Sequence, residues 1–170
     1  MHPGLDGNNR ITNKELRMTK EIKEFDLEER LIDFAVRIIH VAESLPKTKA
    51  GNHLAGQLIR GGTSPAPNYG EAKDAESRAD FIHKMKISLK ELRETRIWLL
   101  IIGKANLLKS ASKLEPLINE SNRLISILVA GVKTANKIKE KIVIRNLPVR
   151  YSIVKRMCYQ ALVNPSYRYF

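Results

Sequence analysis

The chain has 170 residues, a formal net charge of +12, 43% hydrophobic residues and only 6% aromatic ones. That length makes one domain with a real core, and the shortage of aromatics, with Leu and Ile dominating the middle, favours helices packed on helices. One cysteine, Cys158, excludes an internal disulfide; the longest apolar run, 97–102, falls far short of the roughly 20 residues a bilayer span needs; no secretory leader opens the chain, so a cytoplasmic protein is expected.

In chain order, residues 1–24 mix charges with Gly and Asn and form an N-terminal extension. Residues 25–141 carry helical periodicity, and 142–170 form a basic, tyrosine-rich C-terminal tail. The first helix starts at Asp26, an N-cap acceptor with Glu29 three residues on. Leu27, Leu31, Phe34, Ile38, Val41 and Leu45 then repeat in steps of four and three, a bundle seam that stops before Pro46. The next segment, 50–76, contains Gly51, Gly56, Gly61, Gly62, Pro65, Pro67 and Gly70, and propensity alone would end its helix near Arg60.

A long third helix opens at Ser77, with Asp80 three residues on, and runs through Phe81, Met85, Leu89, Leu92, Trp98 and Ile102 to a stop near Gly103 or Asn106. Its end, 97–102, is apolar around the whole circumference, more than one core-facing stripe requires. Two accounts fit: a subunit interface made by Ile97, Trp98, Leu100 and Ile101, or cover by the bundle's own loops. The fourth helix is expected from Ser112, with Glu115 three residues later, and carries Leu117, Leu124, Leu128 and Val132 beside Ile118, Ile125 and Val129. It should fade between Lys139 and Lys141.

The block 57–98 has an order that composition does not explain. Gln57-Leu58-Ile59-Arg60-Gly61-Gly62-Thr63-Ser64 precedes Asn68-Tyr69-Gly70-Glu71-Ala72; then come Ser77-Arg78-Ala79-Asp80-Phe81-Ile82-His83-Lys84, Lys90-Glu91-Leu92-Arg93-Glu94-Thr95 and Trp98. It resembles the 23S rRNA intervening-sequence protein family of four-helix bundle proteins, related to accessory proteins of diversity-generating retroelements, over about residues 25–139. The resemblance implies an all-α, up-and-down antiparallel four-helix bundle whose second helix continues past Arg60; the pair Pro65 and Pro67, a departure from the family's pattern, is expected to kink it. It also implies a homo-oligomeric ring, a pentamer, and an RNA or RNA–protein partner, since the family is encoded within large-subunit ribosomal RNA genes.

Chemistry-bearing residues are few. A di-iron bundle needs Glu-x-x-His on two helices; the chain has none, and Asp80 with His83 is one related spacing, so neither metal nor cofactor is expected. Arg78-x4-His83 matches the Arg-x4-His of HEPN-type ribonucleases, with Ala79 where those have a polar residue. The simpler account makes Arg78 and His83 solvent-facing partners of Asp80 and Glu76, and no catalytic residue is assigned. Asn68, Glu71, Lys90, Glu91 and Glu94 are read as joining helices rather than binding a ligand, with Lys90 and Glu94, four apart, and Glu91, three after Ser88, also spaced for pairing within their own helix.

Nucleic-acid contacts fall to the cations. Lys84, Lys86, Lys90, Arg93 and Arg96 lie on the third helix, and Lys133, Lys137 and Lys141 follow at steps of four on the fourth. Residues 141–170 hold six Lys or Arg and no acid, among them Arg145, Arg150, Lys155 and Arg156, interleaved with tyrosines that can stack on unpaired bases. The expected function is non-enzymatic binding of RNA or DNA by a ring, with a structural or adaptor protein that binds a protein partner, and a ribonuclease, as the other two readings.

Overall fold

The computed structural model describes residues 26–108 and 114–142, the last six as backbone only. Within them the fold is all-helical, in five segments: α1 (Leu27–Glu43), α2 (Lys49–Thr63), α3 (Pro65–Lys73), α4 (Arg78–Lys104) and α5 (Glu115–Ile142). Segments α2 and α3 together make the second arm of an up-and-down four-helix bundle. Arm α4 packs against α2, α3 and α5, while α1 packs against α2, α3 and α5 from the other side. The arms α1 and α4 are therefore diagonal, each with an outer face turned away from the other.

Local chemistry sets the ends. The Asp26 carboxylate accepts from Glu28 N at 3.1 Å, capping α1, and Ser77 Oγ accepts from Asp80 N at 3.1 Å, capping α4. All six positions of the α1 seam are buried, with Leu31 and Ile38 fully so. On α4 the seam is Phe81, Met85, Leu89, Leu92, Leu99 and Ile102, with Ser88 and Thr95 also buried. Trp98, expected in that seam, is only partly buried. On α5, Leu117, Leu124, Leu128 and Val132 are buried with Ile127, while Ile118, Ile125 and Val129 are half-buried.

The second arm kinks where its prolines sit. Ser64 stands between α2 and α3 with φ −65° and ψ −32°, still helical, so the axis is interrupted rather than reversed. Pro65 and Pro67 lack the N–H groups that would carry the ladder across, and Asn68 bridges the gap, its Nδ2 donating to Ser64 O at 2.9 Å and its backbone N at 3.3 Å. From the facing helix, Ser88 Oγ donates to Pro65 O at 3.1 Å.

The start of the fourth arm differs from expectation. Helix α5 begins at Glu115, and the carbonyl of buried Leu114 accepts from Leu117 N and Ile118 N at 3.0 and 2.9 Å. An apolar residue thus occupies the capping position. Anchoring Leu114 in the core sets this end, with Pro116 suited to the first turn, where no intrahelical N–H partner exists; Ser112 lies outside the described residues.

Candidate nucleic-acid and subunit surfaces

Several of the expected cations are exposed on α4 and α5. A methyl built on Gly103 would meet Leu114 Cδ1 at 3.4 Å, which sets the register of these antiparallel helices. Lys86 precedes Gly103 by 17 residues and Lys133 follows Leu114 by 19, so at ~1.5 Å per residue the two sit at nearly one level. Both are exposed and neither has an ion pair among the described residues. Lys90, a turn further along, pairs with Glu94 on its own helix at 3.7 Å, and Arg93 is exposed and unpaired among the described residues. Lys137 and Lys141 continue along the α5 backbone from Lys133, while Arg145, Arg150, Lys155 and Arg156 lie outside the described residues.

Two other cations do not join this set. Lys84 bonds to Glu71 on α3, and that hydrogen bond, with the charge behind it, raises its pKa above the ordinary 10.5. It ties α3 to α4 and is neutralised by the pairing. Arg96 turns inward, its Nε buried without a hydrogen-bond partner. The interhelical role expected of Glu71 is thus realised, and Lys90 pairs with Glu94 along α4 as their spacing allows, whereas Asn68 bonds within its own arm.

The apolar end of α4 is divided. Leu99 and Ile102 face the core, while Ile97 is 52% and Ile101 39% exposed, uncovered by the described residues. Leu100 is half-buried. Trp98 turns to α2, where its ring meets His53 edge-on with centroids 6.3 Å apart; its packing is largely intramolecular. The surface left for an assembly is Ile97, Ile101 and the rim of Leu100.

His83 faces solvent, as expected, and Arg78 is half-buried, but the expected pairing of either with Asp80 or Glu76 is not formed among the described residues. Instead the backbone N–H of Asp80 serves the Ser77 cap. No group of three or more metal-ligating side chains occurs among the described residues, and no helix there is long and apolar enough to cross a membrane. An open groove of about 790 Å³ between α1 and α5 is lined by Arg37, Asn119, Glu120 and Arg123. Within it Glu120 is already engaged, accepting from Arg30 Nε and Nη2 at 3.1 and 2.7 Å.

One surface was missed by seam counting. Ile32 and Val36 on α1 are 43% and 46% exposed, and Ile59 on α2 is 41% exposed. Around them on α1 stand the exposed acids Glu29, Asp33 and Glu43. The signal was present as a second apolar pair at a spacing of four, lying off the Leu27–Leu45 seam.

Comparison with known proteins places this architecture. The model of the 23S rRNA-intervening sequence protein family matches residues 23–130. A crystal structure of a protein of unknown function from the S23 ribosomal protein family of Bacteroides thetaiotaomicron is 33% identical, with a TM-score of 0.59, covering 63% of this chain and 98% of that one. No curated protein matches. With the family model covering the first three arms of the bundle and the start of the fourth, the chain belongs to the 23S rRNA-intervening sequence protein family.

Proposed function

We propose that this chain is a non-enzymatic, cytoplasmic protein that assembles as a homo-oligomeric ring and binds nucleic acid, RNA or an RNA–protein complex, through its basic surface. The observation that carries the reading is that Lys86 on α4 and Lys133 on α5, at nearly the same level along these antiparallel helices, are both exposed and without acidic partners among the described residues. Cations left unpaired on a rigid surface are available to phosphates, and each phosphate neutralised releases counterions. The excess of +12, to which Lys137, Lys141 and the C-terminal cations of 142–170 contribute, supplies the wider field. Repetition around a ring multiplies a modest patch into useful avidity.

The test is binding of the purified protein to single-stranded RNA and to duplex DNA across a salt series, with Lys86→Gln/Lys133→Gln alongside. The expected result is affinity that falls steeply with salt, and a double variant whose log–log salt slope is less steep by about 1–2 on RNA. Binding that ignores both salt and the substitutions would sink the proposal and favour the adaptor reading, which draws on the exposed apolar pairs Ile32–Val36 and Ile97–Ile101.

A further inference from the structure

The exposed faces of the two diagonal helices are chemically complementary. On α4, Ile97 and Ile101 are four residues apart and exposed, bracketed by the exposed cations Arg93 and Lys104. On α1, Ile32 and Val36 are also four apart and exposed, bracketed by Glu29 and Glu43 with Asp33 between. Each apolar pair is a short stripe on one helical face, and each is framed by one sign of charge. The other ionisable groups nearby do not cancel this. Arg37 lines the groove on the α5 side, Glu94 is paired with Lys90, and His40, exposed on α1, leaves the three acids in excess.

We infer that the outer face of α1 is the docking surface for the outer face of α4 of a second copy of this chain, head to tail. A two-fold contact of α4 with α4 would set Arg93 and Lys104 against their own copies, and α1 with α1 would oppose acids to acids; like charges across an interface cost several kcal/mol. The crossed pairing buries both isoleucine-containing pairs and sets acid against base at both ends. Because the surfaces are different and lie on diagonal arms, the contact is heterologous, and repetition of it generates a ring or a filament rather than a closed dimer. This rests on the oligomeric part of the proposal above and gives it two named faces. It assigns Arg93 to the subunit contact and leaves phosphate binding to Lys86, Lys90 and Lys133.

The test is the mass in solution of four proteins by sedimentation: wild type, Asp33→Lys/Glu43→Lys, Arg93→Glu/Lys104→Glu, and all four changes in one chain. The first two variants should each weaken association roughly tenfold or more, and the combined variant, with its charges exchanged, should assemble again. All four sites are exposed, so folding is expected to survive, and circular dichroism checks it. Should a reversal unfold, the neutral Asp33→Asn and Arg93→Gln variants replace it, with a smaller drop in mass expected. A wild type that is monomeric at its highest soluble concentration overturns the oligomer reading and this inference together. An assembled wild type whose mass is indifferent to either pair of substitutions, or a combined variant that stays dissociated, overturns the faces named here and leaves the oligomer standing.

Discussion

Gly56 and Gly62 lie on the same helix and face opposite physical situations. A methyl added at Gly56 meets nothing within 4 Å, whereas one at Gly62 would lie 2.5 Å from Ile38 Cγ2 and 3.0 Å from Ile38 Cβ. Ile38 is fully buried and β-branched, so its side chain has little freedom to move aside. Gly56→Ala should therefore stabilise the fold by about 0.5–1 kcal/mol through helix propensity and reduced freedom of the unfolded chain. Gly62→Ala gains the same term but overpacks the α1–α2 contact, which costs about 1–3 kcal/mol, for a net loss of up to about 2.5 kcal/mol. Chemical denaturation of the two variants beside wild type measures this. Equal stabilisation by both would mean that α1 and α2 do not approach so closely. Composition marks both positions only as helix-weakening glycines; the difference between them exists only once Ile38 is opposite one of them.

At the scale of elements, the second arm shows where local rules reach their limit. The steps of four and three in α1 were readable because one face meets one core, and the capping rule located the start of α4 from Ser77. Seven Gly and Pro residues obscured α2 and α3, because propensity prices a residue in isolation and not the contact it permits. The kink at Pro65 and Pro67 was expected from the prolines, but the Asn68 bridge and the Ser88 bond to Pro65 O depend on a neighbouring helix. Ser88 is fully buried, so Ser88→Ala should cost about 1 kcal/mol for the lost bond, visible as a lower melting temperature with helix content retained. The start of α5 was misplaced for a related reason: Leu114 holds the position by burial, and a capping rule looks for polar residues.

The α3–α4 link adds a dependence on pH. Pairing with Glu71 raises the folded-state pKa of Lys84 above 10.5, so its contribution is fully present below that value and is lost as the pH rises through the folded pKa. Removing the pair with Lys84→Met should therefore lower the melting temperature slightly at neutral pH and reduce the further fall seen in strong base. A variant that follows the wild-type curve in parallel throughout would show that the ion pair has no energetic role, as holds for many exposed pairs.

For the whole molecule, charge is distributed unevenly between the part that builds the fold and the part that follows it. Residues 141–170 carry six of the cations in a net charge of +12 and no acid, so a chain ending at Glu140 keeps the bundle helices and half the excess charge. The family match ends at residue 130, which places that charge outside the matched region. If the C-terminal cations contact phosphate together with Lys86 and Lys133, truncation should weaken RNA binding at every salt concentration. It should also make the slope of log K against log salt less steep, by up to about 4 if all six cations act on a single strand. Assembly should be unaffected, because the two faces assigned to it lie on α1 and α4. Binding and mass measured on the same two proteins therefore separate the roles. Loss of slope with mass retained assigns phosphate contact to the C-terminal segment, an unchanged slope confines it to the cations of α4 and α5, and loss of both would make the ring itself depend on residues 141–170, contrary to the pairing of α1 with α4.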